Sequence, residues 1–234
     1  MFKGFGAGLA MVSLLAAASP VAAADAPTDP AATKIQVFYG ALVDAMKGGA
    51  KLGIQGRYDK LKPAIETAFN LPAMTQFAVG PDWSKYSEAE HKALIDAFER
   101  MTVSNYAKNF DSYNGQQFVV LPNVVNRAPD KVVQSEMLPP KGDPVKFNYR
   151  MRDSGGGDWK VIDVFLAGFT SQLALRRSEF SDTVAKEGAS GLVKKMNTVS
   201  ERRSKPSITK PDRRAYTMVM PSVCPEKWYG DHSR

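Results

Sequence analysis

The segment WKVIDVFLAGFTSQLALRRSEF, residues 159–180, is the part of the chain from which the architecture is most readily predicted. Its first eight residues are mostly apolar, which is typical of a strand, and Gly168 then interrupts the run. Apolar residues after Gly168 recur at helical spacing, and the segment ends near Arg176 and Arg177. The segment is therefore predicted to be a strand that leads into a helix, with an apolar surface and a cationic rim.

The residues before this segment predict an antiparallel sheet. In residues 145–152, apolar and polar side chains alternate, as expected for a half-buried strand. The sequence SGGGD at 154–158 predicts the hairpin turn that joins this strand to Trp159–Leu166, in preference to a phosphate-binding loop. Residues 117–121 and 132–138 add two more strands, so four antiparallel strands are expected.

Helices are predicted on both sides of the strands. Before them, helical periodicity covers residues 35–46 up to Gly48-Gly49, a second helix from Tyr58 or Pro63 to Phe69, and a third over 72–79. The sequence SEAE at 87–90 is a capping box that opens a longer helix. After Gly168, one helix is expected to carry Phe169, Leu173 and Phe180, and a short one to span 190–196. Helices grouped around a run of strands favour an α+β fold.

The chain divides into three parts. Residues 1–24 have a basic residue, an apolar run and small residues before Ala24, which predicts a cleaved signal peptide and export to the periplasm of a bacterium. Residues 25–199 form the predicted domain. Residues 200–234 form a basic, proline-containing tail for which disorder is expected; alternatively the tail contacts anionic membranes, or the reading frame shifts near the end of the gene.

The charge distribution argues against a nucleic-acid partner. Residues 200–234 hold eight basic and four acidic side chains and Lys3 adds one charge, so residues 25–199 carry only +2 of the net +7. The basic character thus belongs to the tail. The single cysteine, Cys224, cannot form an internal disulfide.

The sequence offers little for catalysis, and neither a metal nor another cofactor is expected. The two histidines, His91 and His232, have no Cys or His partner at metal-ligand spacing, and there is no nucleophile elbow. Asp163, within the apolar strand, is the one candidate acid or base. Because each strand of a sheet can have one solvated face, an outward-facing or paired Asp163 is the favoured interpretation.

Many aromatic residues occur between Phe69 and Phe165 for a domain of this size. Each one is most simply a core residue, but together they can also line a cavity between the sheet and the helices. Periodicity does not distinguish a filled core from a hollow one.

Several short motifs, in order, closely resemble the MlaC family of periplasmic lipid-binding proteins, also known as toluene-tolerance auxiliary proteins. They are FAVGPDW (77–83), YAKNFDSYNGQQFVV (106–120), FNYRMR (147–152), GDWKVIDVFLAG (157–168) and RRSEF (176–180). The resemblance covers residues 33 to 197. It implies a highly curved four-stranded sheet wrapped by helices around an apolar pocket, and no enzymatic activity.

The resemblance also implies a role and a set of site residues. The role is to carry lipid between an outer-membrane lipoprotein complex and an inner-membrane ABC transporter. Asp163 and Gly168 match the corner between strand and helix, and Arg176 and Arg177 are expected at the rim, near a headgroup or partner. By position in the motifs, and by the aromatic pattern for two of them, the predicted lipid-binding residues are Phe77, Tyr106, Phe110, Tyr113, Phe118, Phe147, Tyr149, Trp159, Val161 and Leu173.

The segment after Gly168 departs from many members of the family. It reads SQLALRRSEF at 171–180 and is more similar to the hopanoid-associated HpnM branch. The sequence therefore leaves the cargo open between a phospholipid and a hopanoid. A small enzyme that acts on an isoprenoid or acyl compound, with Asp163 as acid or base, is the alternative function.

Overall fold

The structure is a computed structural model that describes residues 29–204 of the chain, and it has the predicted α+β fold. The predicted signal peptide, and the tail from residue 205 onward, lie outside the described residues. The helices are α1 (Pro30–Ala68), α2 (Leu71–Val79), a 3-10 helix (Pro81–Lys85), α3 (Glu88–Asn109) and α4 (Gln172–Ser204). The strands are β1 (Gln117–Arg127), β2 (Asp130–Leu138), β3 (Val145–Asp153), β4 (Trp159–Leu166) and β5 (Thr170–Ser171).

Helix α1 is kinked where the sequence predicts the end of one helix. Gly49 and Gly53 have φ angles of 42° and 61°, a region that favours glycine, so the helical path is interrupted there. Arg57 fixes the kink against α3, since its Nη1 donates to the Gly49 carbonyl and its Nε to the Ala107 carbonyl, both at 2.8 Å. The two helices predicted from periodicity are therefore arms of one kinked element.

The capping box that opens α3 is confirmed. The Ser87 backbone N–H donates to Glu90 Oε2 at 2.8 Å, and the Glu90 N–H donates to Ser87 Oγ at 3.4 Å. Both bonds satisfy N–H groups that have no partner within the helix. The helix therefore begins where the sequence predicts it to begin.

The sheet is antiparallel, with strand order β1-β2-β3-β4-β5, and it differs from the prediction in two ways. Thr170 and Ser171 add a short fifth strand, which pairs with the end of β4. The predicted strong curvature is not found: the sheet is neither closed nor strongly curled, since β1 and β5 lie at opposite ends of the strand order. Register shifts at Val120/Val124 and Arg150/Met151 are β-bulges, which increase local twist without joining the edges.

The corner between β4 and α4 is a tight turn. Ala167 and Gly168 have φ angles of 52° and 83°, and the Phe169 N–H donates to the Leu166 carbonyl. Phe169 therefore lies in the turn, three residues before α4, and the prediction that it belongs to the helix is wrong. The chain turns back on itself too sharply at Gly168 for a helix to begin there.

Helix α4 combines the last two predicted helices. Gly188, with a φ of 64°, marks a kink between them, and the helix continues past residue 199 to Ser204. Within residues 29–204, none of the helices has the length and apolar character needed to cross a membrane.

Candidate functional site

A cavity of about 120 Å³ lies between the sheet and the helices. Its wall combines strands β1, β3 and β4 with α2, α3, α4 and the segment that joins α1 to α2. The lining residues are Phe69, Met74, Phe98, Met101, Thr102, Asn105, Tyr106, Asn109, Phe110, Phe118, Phe147, Tyr149, Val164, Leu166, Gln172, Leu173 and Arg176. This cavity is the candidate site.

The sheet wall of the cavity follows from strand alternation. Phe147 and Tyr149 are two residues apart on β3, so they point to the same face. They pair with Leu166 and Val164 on β4, and directly opposed residues share a face of the sheet. Strand alternation therefore places four largely apolar side chains on one side of the sheet.

A bulge in β4 determines which way Asp163 faces. Arg150 pairs with Asp163 whereas the next residue, Met151, pairs with Val161, so Ile162 is an extra residue. Val161 and Val164 consequently lie on the same face, and Asp163 lies beside Arg150 on the other. Strict alternation from Val161 would have placed Asp163 on the cavity side.

Asp163 joins β4 to the start of α4. Its Oδ1 accepts from the Val164 N–H at 2.7 Å and the Leu173 N–H at 3.1 Å, and its Oδ2 accepts from Ser171 Oγ at 2.5 Å. Burial raises the pKa of this carboxyl, and the hydrogen bonds from Ser171, Leu173 and Val164 partly oppose that rise. These contacts make Asp163 a structural anchor at the corner.

Six of the ten predicted lipid-binding residues line the cavity. They come from α3 and the residue after it, from β1, from β3 and from α4. Motifs that are far apart in the sequence therefore meet at the cavity. The six are Tyr106, Phe110, Phe118, Phe147, Tyr149 and Leu173.

Two of the other predicted residues lie on the surface. Phe77 is 46% exposed, and the Arg177 guanidinium lies 5.3 Å from its ring centre. Tyr113 is 37% exposed in the segment between α3 and β1, with Lys47 Nζ 5.3 Å from its ring centre. Phe77 is on α2 and Tyr113 is in the loop between α3 and β1, and neither side chain lines the cavity.

The remaining two lie away from the cavity at the hairpin end of β4. Trp159 is next to the turn, where Lys131 Nζ lies 4.5 Å from its ring centre. Val161 is fully buried beside Phe69, and its carbonyl accepts from the Asn70 N–H at 2.9 Å. Val161 therefore packs the junction between α1 and α2 against the sheet.

The adjacent arginines predicted at the rim diverge because neighbouring residues on a helix point in directions about 100° apart. Arg176 lines the cavity, with its Nη1 donating to Glu179 Oε2 at 2.6 Å. Arg177 instead lies over Phe77. A third guanidinium, Arg203, comes from the end of α4; burial and then the Arg176 charge lower its pKa to about 10.

Sequence reasoning predicted Arg176 but missed the other polar residues of the cavity. Thr102, Asn105 and Asn109 are spaced three and four residues apart, which places them on one face of α3. Gln172 lies four residues before Arg176 on α4. The spacing of these polar residues was visible in the sequence, but it is also the pattern of an ordinary solvent-exposed helix face.

Three buried tyrosines, of which Tyr106 and Tyr149 line the cavity, carry no charge. Burial raises the pKa of Tyr39 to about 12, and it raises the pKa values of Tyr106 and Tyr149 as well. Tyr39 and Ser135 share a 2.6 Å hydrogen bond, and Ser135 Oγ donates to the Phe147 carbonyl at 2.7 Å. The tyrosines are therefore neutral at ordinary pH.

No group of three or more His, Cys, Asp or Glu side chains is arranged to hold a metal ion within residues 29–204. The side chains that line the cavity are apolar, amide, hydroxyl and guanidinium groups. Such a wall can enclose a chain-like apolar ligand and hydrogen-bond a polar group attached to it.

The fold and the cavity together define a class of small α+β proteins that hold an apolar ligand between a sheet and its helices. The family model described as MlaC protein matches residues 38–198, which is more than half of the chain. The chain therefore belongs to the MlaC family.

The chain is also similar in fold to a solved structure. That structure is a phospholipid-binding protein from Ralstonia solanacearum in complex with a phospholipid, and the TM-score is 0.65. It is 23% identical, and the match covers 75% of this chain and 99% of that chain. No curated protein matches the sequence. The similarity at this identity supports the α+β fold.

Proposed function

We propose that this protein is a lipid carrier, and that the apolar cavity between sheet and helices is where it holds acyl chains. The observation that carries the proposal is this cavity in a chain of the MlaC family, with Phe118, Phe147 and Tyr149 as its sheet wall. The phospholipid bound to the Ralstonia protein of similar fold supports the same conclusion.

The energetics explain why a carrier encloses its cargo. Removing a methylene from water is worth about 0.8 kcal/mol, so two acyl chains of about 30 methylenes represent roughly 25 kcal/mol. A free phospholipid consequently leaves a membrane very slowly. A protein that covers the chains lowers this barrier, while the headgroup can stay hydrated near Arg176.

The cavity must enlarge when lipid enters. Ligand pockets generally measure roughly 300–1,000 Å³, whereas this cavity measures about 120 Å³. We therefore expect the helices to move apart when acyl chains enter, and the kinks at Gly49 and Gly188 divide the two long helices into arms.

The proposal extends to place and partners. The protein acts in the periplasm after export, takes lipid from one membrane-bound complex and delivers it to another, with transient contact to the membrane. The partners inferred from the family resemblance are an outer-membrane lipoprotein complex and an inner-membrane ABC transporter. Transport needs no chemical step, so the protein has no enzymatic activity in this proposal.

The alternative is a small enzyme that uses Asp163 on an isoprenoid or acyl substrate. Within residues 29–204, the three hydrogen bonds of this carboxylate hold the corner between β4 and α4, and Asp163 does not line the cavity, so the carrier is favoured. If the protein turned over such a substrate, and Asp163→Asn abolished this turnover while lipid retention was unchanged, the enzyme would be favoured. A hopanoid cargo remains the second candidate ligand, from the similarity of residues 171–180 to the HpnM branch.

Transfer between vesicles tests the carrier function. Donor vesicles contain a self-quenched fluorescent phosphatidylglycerol, acceptor vesicles contain none, and dequenching reports transfer. We expect the purified protein to accelerate transfer in proportion to its concentration. A transfer rate equal to that of vesicles alone, for protein shown to be folded by circular dichroism, would contradict the proposal.

A further inference from the structure

Asn105 carries a polar atom that the protein itself leaves unsatisfied. The side chain lies in the cavity wall, the residue is 9% exposed, and its Oδ1 has no hydrogen-bond partner among residues 29–204. A buried amide oxygen without a partner costs about 1–3 kcal/mol. An unpaired polar atom in the wall of a largely apolar cavity points to a ligand that supplies the missing partner.

Asn105 is the centre of a set of polar side chains in the cavity. Thr102 and Asn109 flank it on the same face of α3, and Gln172 and Arg176 approach from α4. We call these five residues the polar stripe. An amide can turn so that either its oxygen or its NH₂ faces the ligand, so Asn105 can pair with an acceptor or a donor.

A positive charge lies within the polar stripe. Arg176 lines the cavity, and among the described residues Glu179 is the acidic side chain that bonds it. A guanidinium in the cavity wall favours an anion beside it, and a phosphate has the oxygen geometry that guanidinium groups bind best.

We propose that Asn105 is a specificity-determining residue, and that the polar stripe binds the ester and phosphate oxygens of a glycerophospholipid at the wall of the cavity. This inference rests on the proposed carrier function and adds which part of the lipid the protein recognises. Lipids without these oxygens, such as squalene, fill the apolar part of the cavity and leave the Asn105 amide unpaired. The protein therefore discriminates by polar linkage as well as by chain.

The stability effect of a substitution distinguishes ligand recognition from a structural role. Asn105→Leu keeps the branching and the number of side-chain heavy atoms and removes the unpaired amide. We expect the lipid-free variant to melt at the same or a higher temperature than the unsubstituted protein. If Asn105 had a structural role, its replacement would lower the melting temperature instead.

A lipid-competition experiment tests the proposal directly. The full chain is stripped of lipid, incubated with vesicles of phosphatidylglycerol and phosphatidylethanolamine doped with squalene, and separated from them. Bound lipids are then quantified by mass spectrometry. For Asn105→Leu we expect roughly a three- to tenfold loss of phospholipid relative to squalene, the value of one hydrogen bond. Arg176→Gln should cause about a tenfold loss or more, because its bond is charge-assisted.

Ser104→Ala is the matched control. Ser104 is the neighbouring residue on α3, it is also buried, and its Oγ also lacks a partner, but it faces a different groove, lined by Tyr58 and Arg100. We expect no change in the ratio of phospholipid to squalene.

Each result has a defined meaning. Equal ratios for Asn105→Leu and the unsubstituted protein, or an equal loss for Ser104→Ala, would overturn the role of Asn105 and leave the carrier function intact. No bound lipid of either kind on the unsubstituted protein would overturn both. If Asn105→Leu does not fold, the structural role is supported and the proposal is rejected, unless Arg176→Gln folds and shows the expected loss.

Discussion

Asp163 illustrates how one side chain can determine the corner on which a site is built. Its carboxylate bonds the first turn of α4 through Leu173 and Ser171, and Ser171 Oγ in turn accepts from the Ala174 N–H at 2.9 Å. Leu173 and Arg176 both line the cavity from this turn. The orientation of α4 relative to the sheet therefore depends on Asp163.

We predict that Asp163→Ala lowers the free energy of unfolding by about 2–4 kcal/mol. The substitution removes a helix cap, worth about 1 kcal/mol, and leaves a buried N–H without a partner. Urea denaturation monitored by circular dichroism measures the loss. Asp163→Asn, which keeps one acceptor, should lose less; a loss below about 0.5 kcal/mol for Asp163→Ala would refute the anchoring role.

Asp130 is a second buried carboxylate, and its partners predict a pH dependence. Burial opposes its ionisation, but hydrogen bonds from Arg152 and Arg150 outweigh burial and hold its pKa below the ordinary value of 3.8. The Nε atoms of the two arginines donate to it at 2.6 Å, and its side chain is only 1% exposed. Stability from this group is thus present above about pH 4 and is lost as pH falls through the lower, folded-state pKa.

Asp130→Asn should therefore be destabilising at neutral pH and nearly neutral in strong acid. We expect a loss of about 1–2 kcal/mol at pH 7, a value reduced because both arginines are half exposed. As pH falls through the lowered folded-state pKa, the carboxyl of the unsubstituted protein becomes protonated and the difference should vanish. Asp182→Asn, in an exposed pair with Lys186, is the control. A difference that does not change with pH would contradict the assignment.

At the residue scale, the sequence predicted apolar residues of the cavity better than polar ones. Phe147 and Tyr149 were predictable, because alternation on β3 has a single solution. Asn105 was not, because a polar residue on a helix is ordinarily solvated and only the packing of α4 over α3 buries it. The face of Asp163 depended on the bulge at Ile162, which no sequence pattern marks.

At the scale of elements, the turn between β4 and α4 stands out because it exposes an aromatic side chain beside the cavity. Phe169 is 79% exposed, and the turn that carries it joins Leu166 to Gln172, both of which line the cavity. Aromatic side chains partition well into the membrane interface. The turn is therefore suited to touch a bilayer when lipid passes in or out.

Phe169→Ser should slow phospholipid transfer between vesicles severalfold without changing the melting temperature, because the side chain is largely exposed. Stopped-flow dequenching with the fluorescent phosphatidylglycerol measures the rate. Val37→Ser, on an exposed face of α1, is the control for loss of a surface apolar group. An unchanged rate for Phe169→Ser would remove the turn from the transfer mechanism.

Helix and strand order could be predicted because local signals mark each boundary. The capping box at Ser87, the glycines at 48–49 and the SGGGD turn all have direct structural counterparts. The fifth strand and the degree of sheet curvature could not be predicted, since both depend on how the chain returns after Gly168 and on bulges. Local sequence determines the elements, and packing determines how they meet.

At the scale of the whole molecule, the sheet is open and the cavity between sheet and helices is smaller than the proposed cargo. If the protein carries lipid as proposed, we expect the cavity to widen, with burial of the apolar surface of the lipid as the favourable term. The MlaC resemblance was readable from short motifs over residues 77–180, whereas the size of the cavity required the structure.

Lipid identification on the purified protein is the measurement that bears most directly on the carrier function. The full-length protein is expressed, purified without detergent, extracted with organic solvent and analysed by mass spectrometry. We predict that a phospholipid co-purifies with the protein, at a level approaching one molecule per chain. Repeated absence of any extractable lipid, together with no uptake from phospholipid vesicles, would contradict it.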